Sequence, residues 1–205
     1  MLVSHPLLAR RPARAAPTLT LAPQLGDLQL VQGRLHECCG PARRSFAVWL
    51  AAQTDGPVFW IATPWTQELL NAEGLCEWMD PARLIFVSPK RPEDMLWTME
   101  EVLRAGVAAL CVADLPNLPG LTSVRRMHLA AETSGAQTGR LPTGLVLTPG
   151  QGGAPGVETR WHLAPGHKAD RDIWQVQRLR ARTAPFKSWD IERPAPSHPL
   201  RIKTS

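Results

Sequence analysis

The sequence predicts an α/β fold in which helices flank a mainly parallel sheet, with an antiparallel extension toward the C-terminal end. Largely apolar runs at residues 57–62, 83–88 and 107–113 have the length of strands. They lack the polar alternation of a half-exposed strand, so they indicate strands covered on both faces. Helical segments separate these runs, and a repeated strand–helix–strand pattern builds a parallel sheet through right-handed crossovers.

The first predicted strand and helix lie at residues 35–39 and 45–52. The strand ends at Gly40, which a proline follows. The helical segment is apolar nearly all round, which is typical of a buried helix. A second helix is predicted over residues 65–79, with an interruption near Gly74.

Residues 92–105 give the clearest helix prediction. Pro92 suits the first turn, Glu93 and Asp94 favour the positive end of the helix dipole, and Gly106 is a natural stop. Four apolar side chains at helical spacing form one face for burial: Met95, Met99, Val102 and Leu103.

The remaining elements complete the sheet. A helix that Thr122 or Ser123 can cap runs to residue 135 and leads to a strand at 145–147. Residues 148–156 (TPGQGGAPG) form a loop in which we expect no packed side chain. Three strands then follow without helices between them, so we expect an antiparallel group at 158–163, at 176–182 and near 189–191.

Charge is distributed unevenly along the 205 residues. Residues 1–34 hold four arginines and one acidic residue, residues 35–159 hold nine basic and thirteen acidic residues, and residues 160–205 hold ten basic and four acidic residues. We predict a flexible basic arm at residues 1–33 and a folded domain at residues 34–192. A disordered, proline-containing tail is predicted at residues 193–205.

Composition excludes several classes of protein. Hydrophobic residues make up 44% and charged residues 20%, which excludes a wholly disordered or collagen-like chain. No apolar run reaches the length of a membrane-spanning helix. The four cysteines, Cys38, Cys39, Cys76 and Cys111, lack zinc-ligand spacing. We therefore expect reduced thiols in a cytoplasmic protein, and no metal site.

The segment that joins the first strand to the first helix stands where nucleotide-binding α/β proteins carry a phosphate loop. Such a loop needs the pattern G-x-x-x-x-G-K-[ST]. Gly40 is present, but the last three motif positions hold Ser45, Phe46 and Ala47. We expect Phe46 to point toward the phosphate position. We therefore predict no ATP or magnesium cofactor, although Arg43 and Arg44 offer replacement cations.

Asp114 and Glu93 are the two candidate remnants of a nucleotide-hydrolysing site. Asp114 follows the run at 107–113, the position at which nucleotide hydrolases hold a magnesium-bound water. Glu93 could orient a water molecule. Each residue also has a simpler interpretation, as a loop cap for Asp114 and as a first-turn helix carboxylate for Glu93. We expect neither to be catalytic.

In a series of ordered positions the chain resembles the RecA recombinase core. Ser88-Pro89 followed by Glu93 looks like the strand end and the catalytic glutamate of that core. The intervals of 13 residues from Glu93 to Gly106 and of 8 residues from Gly106 to Asp114 fit without a gap. Residues 148–156 stand where RecA has its glycine-rich DNA-binding loop. Residues 180–187 (RARTAPFK) are similar to its basic pair followed by Ala-Pro-Phe.

Within this superfamily the chain resembles the ImuA group of bacterial accessory proteins. The similarity lies in three short phrases: residues 35–37 (LHE), residues 93–97 (EDMLW) with Glu100-Glu101, and Arg125-Arg126 before residues 129–132 (LAAE). The resemblance implies a RecA-like domain over residues 34–192 whose phosphate loop is degenerate. It also implies a non-catalytic adaptor in SOS-type, DNA-damage-induced translesion mutagenesis. Such an adaptor acts with ImuB, a polymerase-like hub, and with an error-prone DNA polymerase, and RecA is a further candidate partner.

On the RecA-like reading, contacts with a partner or with DNA are expected from the glycine-rich loop and the basic C-terminal third. The residues concerned are Gly152, Gly153, Arg160, Arg180, Arg182 and Lys187. We expect protein contacts to dominate over weak, sequence-independent binding to DNA phosphates. Two alternatives stay open: a RecA-type ATP-dependent DNA-binding protein with an unorthodox phosphate loop, and a cell-division inhibitor of the SulA type, which shares the fold.

Overall fold

The computed structural model describes residues 17–65, 70–195 and 198–203. The strands in these residues are β1 (Thr18–Thr20), β2 (Gln29–Val31), β3 (Leu35–Cys39), β4 (Val58–Ala62), β5 (Leu84–Val87), β6 (Leu110–Asp114), β7 (Thr143–Leu147), β8 (Thr159–Pro165), β9 (Asp172–Ala181), β10 (Lys187–Arg193) and β11 (Arg201–Ile202). The helices are α1 (Arg43–Ala52), α2 (Ala72–Cys76), α3 (Pro92–Ala105) and α4 (Leu121–Thr138), and a short 3₁₀ helix (Pro81–Arg83) precedes β5.

A nine-stranded sheet organises the molecule, in the order β11-β10-β9-β8-β3-β7-β6-β4-β5. The pairs from β8 through β3, β7, β6 and β4 to β5 are parallel. The pairs from β8 through β9 and β10 to β11 are antiparallel. The predicted α/β class, a mostly parallel sheet flanked by helices with a C-terminal antiparallel group, is therefore confirmed.

Each face of the sheet carries its own apolar cluster. On one face, α1 buries Phe46 and Trp49 against strand residues that include Trp161 and Trp174. On the other face, α3 and α4 bury Met95 and other apolar residues against β3, β4, β6 and β7. Burial of each such side chain stabilises the fold by about 1.5–3 kcal/mol, which makes these clusters the main source of stability.

The predicted first and last residues of β3 and α3 are confirmed, whereas several neighbouring elements differ from their predictions. Within residues 70–79 the predicted helix is limited to the five-residue α2, and residues 66–69 of that prediction lie outside the described part of the chain. Gly74 lies inside α2 and does not interrupt it. Helix α4 begins after Gly120 with no side-chain cap, so the expected caps at residues 122 and 123 are wrong.

Strand β5 is the edge of the sheet, which corrects the prediction that the run at 83–88 is covered on both faces. Its Ile85 and Phe86 side chains are 41% and 58% exposed. An apolar run has the same pattern in a central strand and in an edge strand, so periodicity alone did not separate the two cases.

The folded residues extend beyond the predicted domain at both ends. Strands β1 and β2 pair within the predicted flexible arm, and Leu21 and Leu28 between them are fully buried. The first sixteen residues of that arm lie outside the described part of the chain. Strand β11 pairs with β10, and Leu200 is buried, where a disordered tail was predicted. The isolated leucines of these terminal segments stand between prolines and do not follow the spacing of apolar residues in a helix or a strand. The sequence pattern therefore did not predict that they are buried.

A buried histidine joins the N-terminal hairpin to the sheet. His36 Nε2 lies 2.8 Å from the carbonyl oxygen of Val31, which can only accept, so this nitrogen donates. The other ring nitrogen, Nδ1, therefore accepts from the hydroxyl of Thr159 at 2.7 Å. That hydroxyl in turn accepts from Trp161 Nε1 at 2.7 Å. The complete chain of donors requires a neutral His36, and burial lowers the pKa of His36 to about 4.

We predict that the protein loses stability as the pH falls from about 6.5 to about 4. In this window the unfolded chain binds a proton at His36, whose ordinary pKa is 6.5, and the folded chain does not. Burial also lowers the pKa of His128, which adds to the effect. The loss due to His36 is on the order of 3 kcal/mol at the lower limit. Urea unfolding at a series of pH values measures it.

The variant His36→Gln is the control for this effect. It is less stable at neutral pH because its hydrogen bonds are altered, but its stability depends less steeply on pH. An equal pH dependence in the variant and the natural chain would contradict a neutral buried histidine.

Candidate functional site

The carboxyl ends of three parallel strands bring the predicted site residues together. Strand β7 lies between β3 and β6, so the segment after β3 and the end of β6 stand on either side of it. Gly40 follows β3, Arg43 and Arg44 open α1, and Asp114 ends β6. Parallel α/β sheets bind their ligands at the carboxyl ends of the strands, so this edge is the candidate functional site.

An ion cluster occupies this edge. The Nε atom of Arg44 donates to Asp114 Oδ2 at 2.6 Å, and Arg43 Nε lies 3.5 Å from Oδ1. The carboxylate is buried, whereas each arginine side chain is about one fifth exposed. Both oxygens of Asp114 thus face a cation of the chain itself. The arginines that could replace a phosphate-binding lysine neutralise this carboxylate.

Phe46 does not point toward the phosphate position, which corrects the sequence expectation. Its side chain is fully buried beneath α1, and its ring centre lies 5.8 Å from that of Trp161. The neighbouring Ala47 is buried in the same cluster. Phe46 falls on the face of α1 that packs on the sheet. Its ring therefore contributes to the core, and the residues of α1 that contact Asp114 are Arg43 and Arg44 in the first turn.

Gly40 is required by packing against β8. Its φ of +92° lies in the left-handed region, and an added Cβ would come within 2.5 Å of the carbonyl oxygen of Leu163 and 2.8 Å of His162 Nε2. The backbone N–H of Ala42 donates to the same carbonyl at 3.1 Å. The glycine thus holds the segment after β3 against the neighbouring strand.

A second buried carboxylate, Glu37, fixes the glycine-rich loop. It accepts hydrogen bonds from the hydroxyl of Thr148 at 2.7 Å and from the backbone N–H groups of Gly153 and Ala154 at 2.8 and 3.1 Å. Arg160 Nε donates to it at 2.5 Å. Ala154 is fully buried, so the prediction of a loop without packed side chains is wrong.

Gly152 is needed for this arrangement. It has a φ of +70°, and an added Cβ would lie 2.7 Å from Glu37 Oε1. We define the Glu37 clamp as Glu37 with its partners Thr148, Gly153, Ala154 and Arg160. Sequence reasoning missed Glu37 as a functional position. Its position in the sequence could have indicated this role, because Glu37 is an acidic residue inside a strand that is buried on both faces.

The six predicted contact residues separate into two groups. Gly152, Gly153 and Arg160 belong to the Glu37 clamp or border it, and this gives them a structural role. The others lie on the β9–β10 hairpin: Arg180, Arg182 and Lys187. Arg180 is exposed, Arg182 Nε lies 3.5 Å from Glu158, and Lys187 Nζ donates to Asp27 at 2.6 Å.

The two predicted vestigial carboxylates have different partners. Glu93 lies on the surface of α3, where its carboxylate is 3.8 Å from Arg91 Nε. Asp114 contacts α1, as described above. The described contacts therefore do not join them in one site.

Three of the four cysteines, Cys38, Cys39 and Cys111, are buried, and Cys76 is exposed. Burial raises the pKa of Cys39 to about 11, and it also raises the pKa values of Cys38 and Cys111, so these thiols stay protonated. Within residues 17–65, 70–195 and 198–203, His, Cys, Asp and Glu side chains form no group of three or more that could hold a metal ion. No helix in these ranges is long and apolar enough to span a membrane.

In comparisons with known proteins, no family model matches this sequence, and no curated protein matches it. What the chain does is therefore inferred from its residues and their geometry.

We predict that Glu37→Gln destabilises the protein by about 2–4 kcal/mol, because it leaves Arg160 without its buried counter-charge. The same change loosens residues 148–156, so limited proteolysis cuts there faster. Urea unfolding and mass spectrometry of the fragments measure the two effects. Glu132→Gln is the matched control, because it removes an exposed ion pair with Arg34 and costs at most about 1 kcal/mol. Equal losses in the two variants would show that the Glu37 clamp does not hold the loop.

Proposed function

We propose that the chain is a non-catalytic, RecA-like adaptor of DNA-damage-induced translesion mutagenesis in the bacterial cytoplasm. On this proposal it acts with an ImuB-type polymerase hub and an error-prone DNA polymerase. The observation that carries the non-catalytic part is the ion cluster of Arg43, Arg44 and Asp114. A nucleotide would have to displace a buried carboxylate from two guanidinium groups, and magnesium would have to displace those groups from the carboxylate.

The fold supports the RecA-like part of the proposal. The resemblance implies a core with a mainly parallel sheet, and the strand pairs from β8 through β3, β7, β6 and β4 to β5 are parallel. The glycine-rich loop and the hairpin with the Arg-x-Arg and Ala-Pro-Phe residues stand at separate positions along that sheet. The surfaces of such a fold can serve binding when its nucleotide site is lost.

The β9–β10 hairpin is the surface best suited to a protein partner. Arg180 and Arg182 are exposed near its turn, and Phe186 in the turn presents a largely exposed ring. An exposed aromatic ring beside arginines is the composition of interface hot spots. Lys187 and Arg182 already face carboxylates of the chain, so their attraction for a further anion is weakened. The exposed Phe186 ring needs an apolar pocket, so the hairpin fits a protein surface better than a nucleic acid.

We predict that titration calorimetry with ATP and magnesium detects no binding at millimolar nucleotide. The variant Asp114→Asn frees the two guanidinium groups while it keeps the shape of the side chain. Its affinity for inorganic phosphate or ATP therefore rises above that of the natural chain. A working ATPase gives the opposite pair of results: the natural chain binds nucleotide with magnesium, and the variant loses that binding.

We predict that an ImuB-type hub protein retains the purified chain in a pull-down. Reversal of charge in the double variant Arg180→Glu, Arg182→Glu weakens the complex by about tenfold or more, because each 1.4 kcal/mol corresponds to a factor of ten. Arg140→Glu, a reversal at an exposed arginine after α4, is the matched control and leaves the complex unchanged. Absence of any association with the hub would contradict the proposed adaptor.

A further inference from the structure

Two cations face each other where the β9–β10 hairpin approaches its turn. Arg178 and Lys187 are a directly opposed pair in the register of the two strands. Both lie over the same ring, since Arg178 Cζ is 5.4 Å and Lys187 Nζ is 5.0 Å from the ring centre of Trp189. Like charges at opposed positions of an antiparallel pair repel each other, so this arrangement favours a negative group beside it.

Asp27 supplies a negative group at this position. Its Oδ2 atom accepts a hydrogen bond from Lys187 Nζ at 2.6 Å. That hydrogen bond and the charge of Lys187 lower the pKa of Asp27, and the charge of Arg178 lowers it further. Asp27 is therefore ionised at neutral pH, and its carboxylate interacts with both cations.

The loop that carries Asp27 is anchored by the core. It joins β1 to β2, and its Leu21, Leu25 and Leu28 side chains are fully buried. The backbone N–H of Leu21 donates to the carbonyl oxygen of Leu28 at 2.9 Å, and the N–H of Leu28 donates to that of Leu25 at 2.8 Å. Asp27 stands between two of these anchors. The fold therefore brings its carboxylate to the hairpin independently of the ion pair.

The ion pair itself is open to solvent. The side chains of Asp27 and Lys187 are 63% and 47% exposed. An ion pair that is so exposed contributes little, so another carboxylate can replace either water or Asp27 beside Lys187. The ring of the adjacent Phe186 is 61% exposed. An incoming acidic group thus reaches the cations from solvent, next to an exposed aromatic ring.

We propose that Arg178 and Lys187 form a binding site for a carboxylate of a protein partner, and that Asp27 is an intramolecular competitor for this site. A carboxylate of the chain already lies there, which shows the chemistry that the two cations accept. An acidic side chain of the partner displaces Asp27, while an apolar neighbour of that side chain covers Phe186. The inference rests on the proposed protein-binding role of the hairpin, and it adds which group of the partner is bound and what limits the affinity.

A protein carboxylate suits this site better than the phosphates of a nucleic acid. A nucleic acid binds through a row of phosphates, which requires a continuous row of cations. On this hairpin carboxylates interrupt such a row, because Arg182 faces Glu158 and Lys187 faces Asp27. One acidic side chain needs only the single opposed pair of cations.

Fluorescence anisotropy of a labelled polyglutamate peptide, titrated with the purified full chain, tests the proposal. The measurement is made at about 20 mM salt, because higher ionic strength screens exposed charges. Asp27→Asn binds the peptide about two- to fivefold more tightly than the natural chain, because the competing charge is gone. Asp55→Asn is the matched control: it removes the same charge from an exposed aspartate after α1 and leaves the affinity unchanged.

Removal of the lysine charge locates the site. Lys187→Gln binds the peptide more weakly than the natural chain, by about twofold or more. In the double variant Asp27→Asn, Lys187→Gln the increase in affinity that Asp27→Asn causes disappears, because the two side chains act on the same bound group. Circular dichroism confirms that each variant is folded.

Three results would each overturn the proposal. The first is an equal affinity of Asp27→Asn and Asp55→Asn for polyglutamate, and the second is an increase that persists in the double variant. The third is an increase for single-stranded DNA as large as that for polyglutamate, which would assign the two cations to phosphates. These measurements need no hub protein, so their failure is distinct from failure of the proposed adaptor function.

Discussion

The buried carboxylate of Asp114 and the two guanidinium groups that face it determine what the carboxyl edge of the parallel strands can bind. A buried charge needs a counter-charge, and here the chain supplies it from the first turn of α1. The same arginines and the same carboxylate are the groups that a phosphate and a metal ion would require. Because they face each other, a phosphate or a metal ion would have to separate the carboxylate from the arginines before it could bind at this edge.

Glu37 is a second buried carboxylate whose counter-charge is supplied by the chain itself. Its carboxylate lies inside the sheet and is satisfied by Arg160, by a hydroxyl and by backbone N–H groups of the glycine-rich loop. A loop that would be free to move in a DNA-binding protein is thereby held against the sheet. Both acidic residues at this edge thus serve the fold, and the exposed side chains of the β9–β10 hairpin are among those left for binding.

The sequence predicts the fold better than the site. Pro92, Met95 and Gly106 define α3 because each acts locally, through the first turn, the buried face and the stop. Phe46 was assigned from its position in a motif, and its burial depends on which face of α1 packs against Trp161, which a motif does not encode. Glu37 is inconspicuous in sequence because its four partners are separated from it by more than one hundred residues. The open edge at β5 depends on strand order, which a run of apolar residues does not reveal.

The most direct test of the central claim is a crystal structure of the protein soaked with a non-hydrolysable ATP analogue and magnesium. We expect Arg44 to remain within hydrogen-bond distance of Asp114, with no triphosphate beside residues 40–47. A triphosphate seated there, with Asp114 turned away from the arginines toward a magnesium ion, would contradict the account and indicate a working nucleotide site.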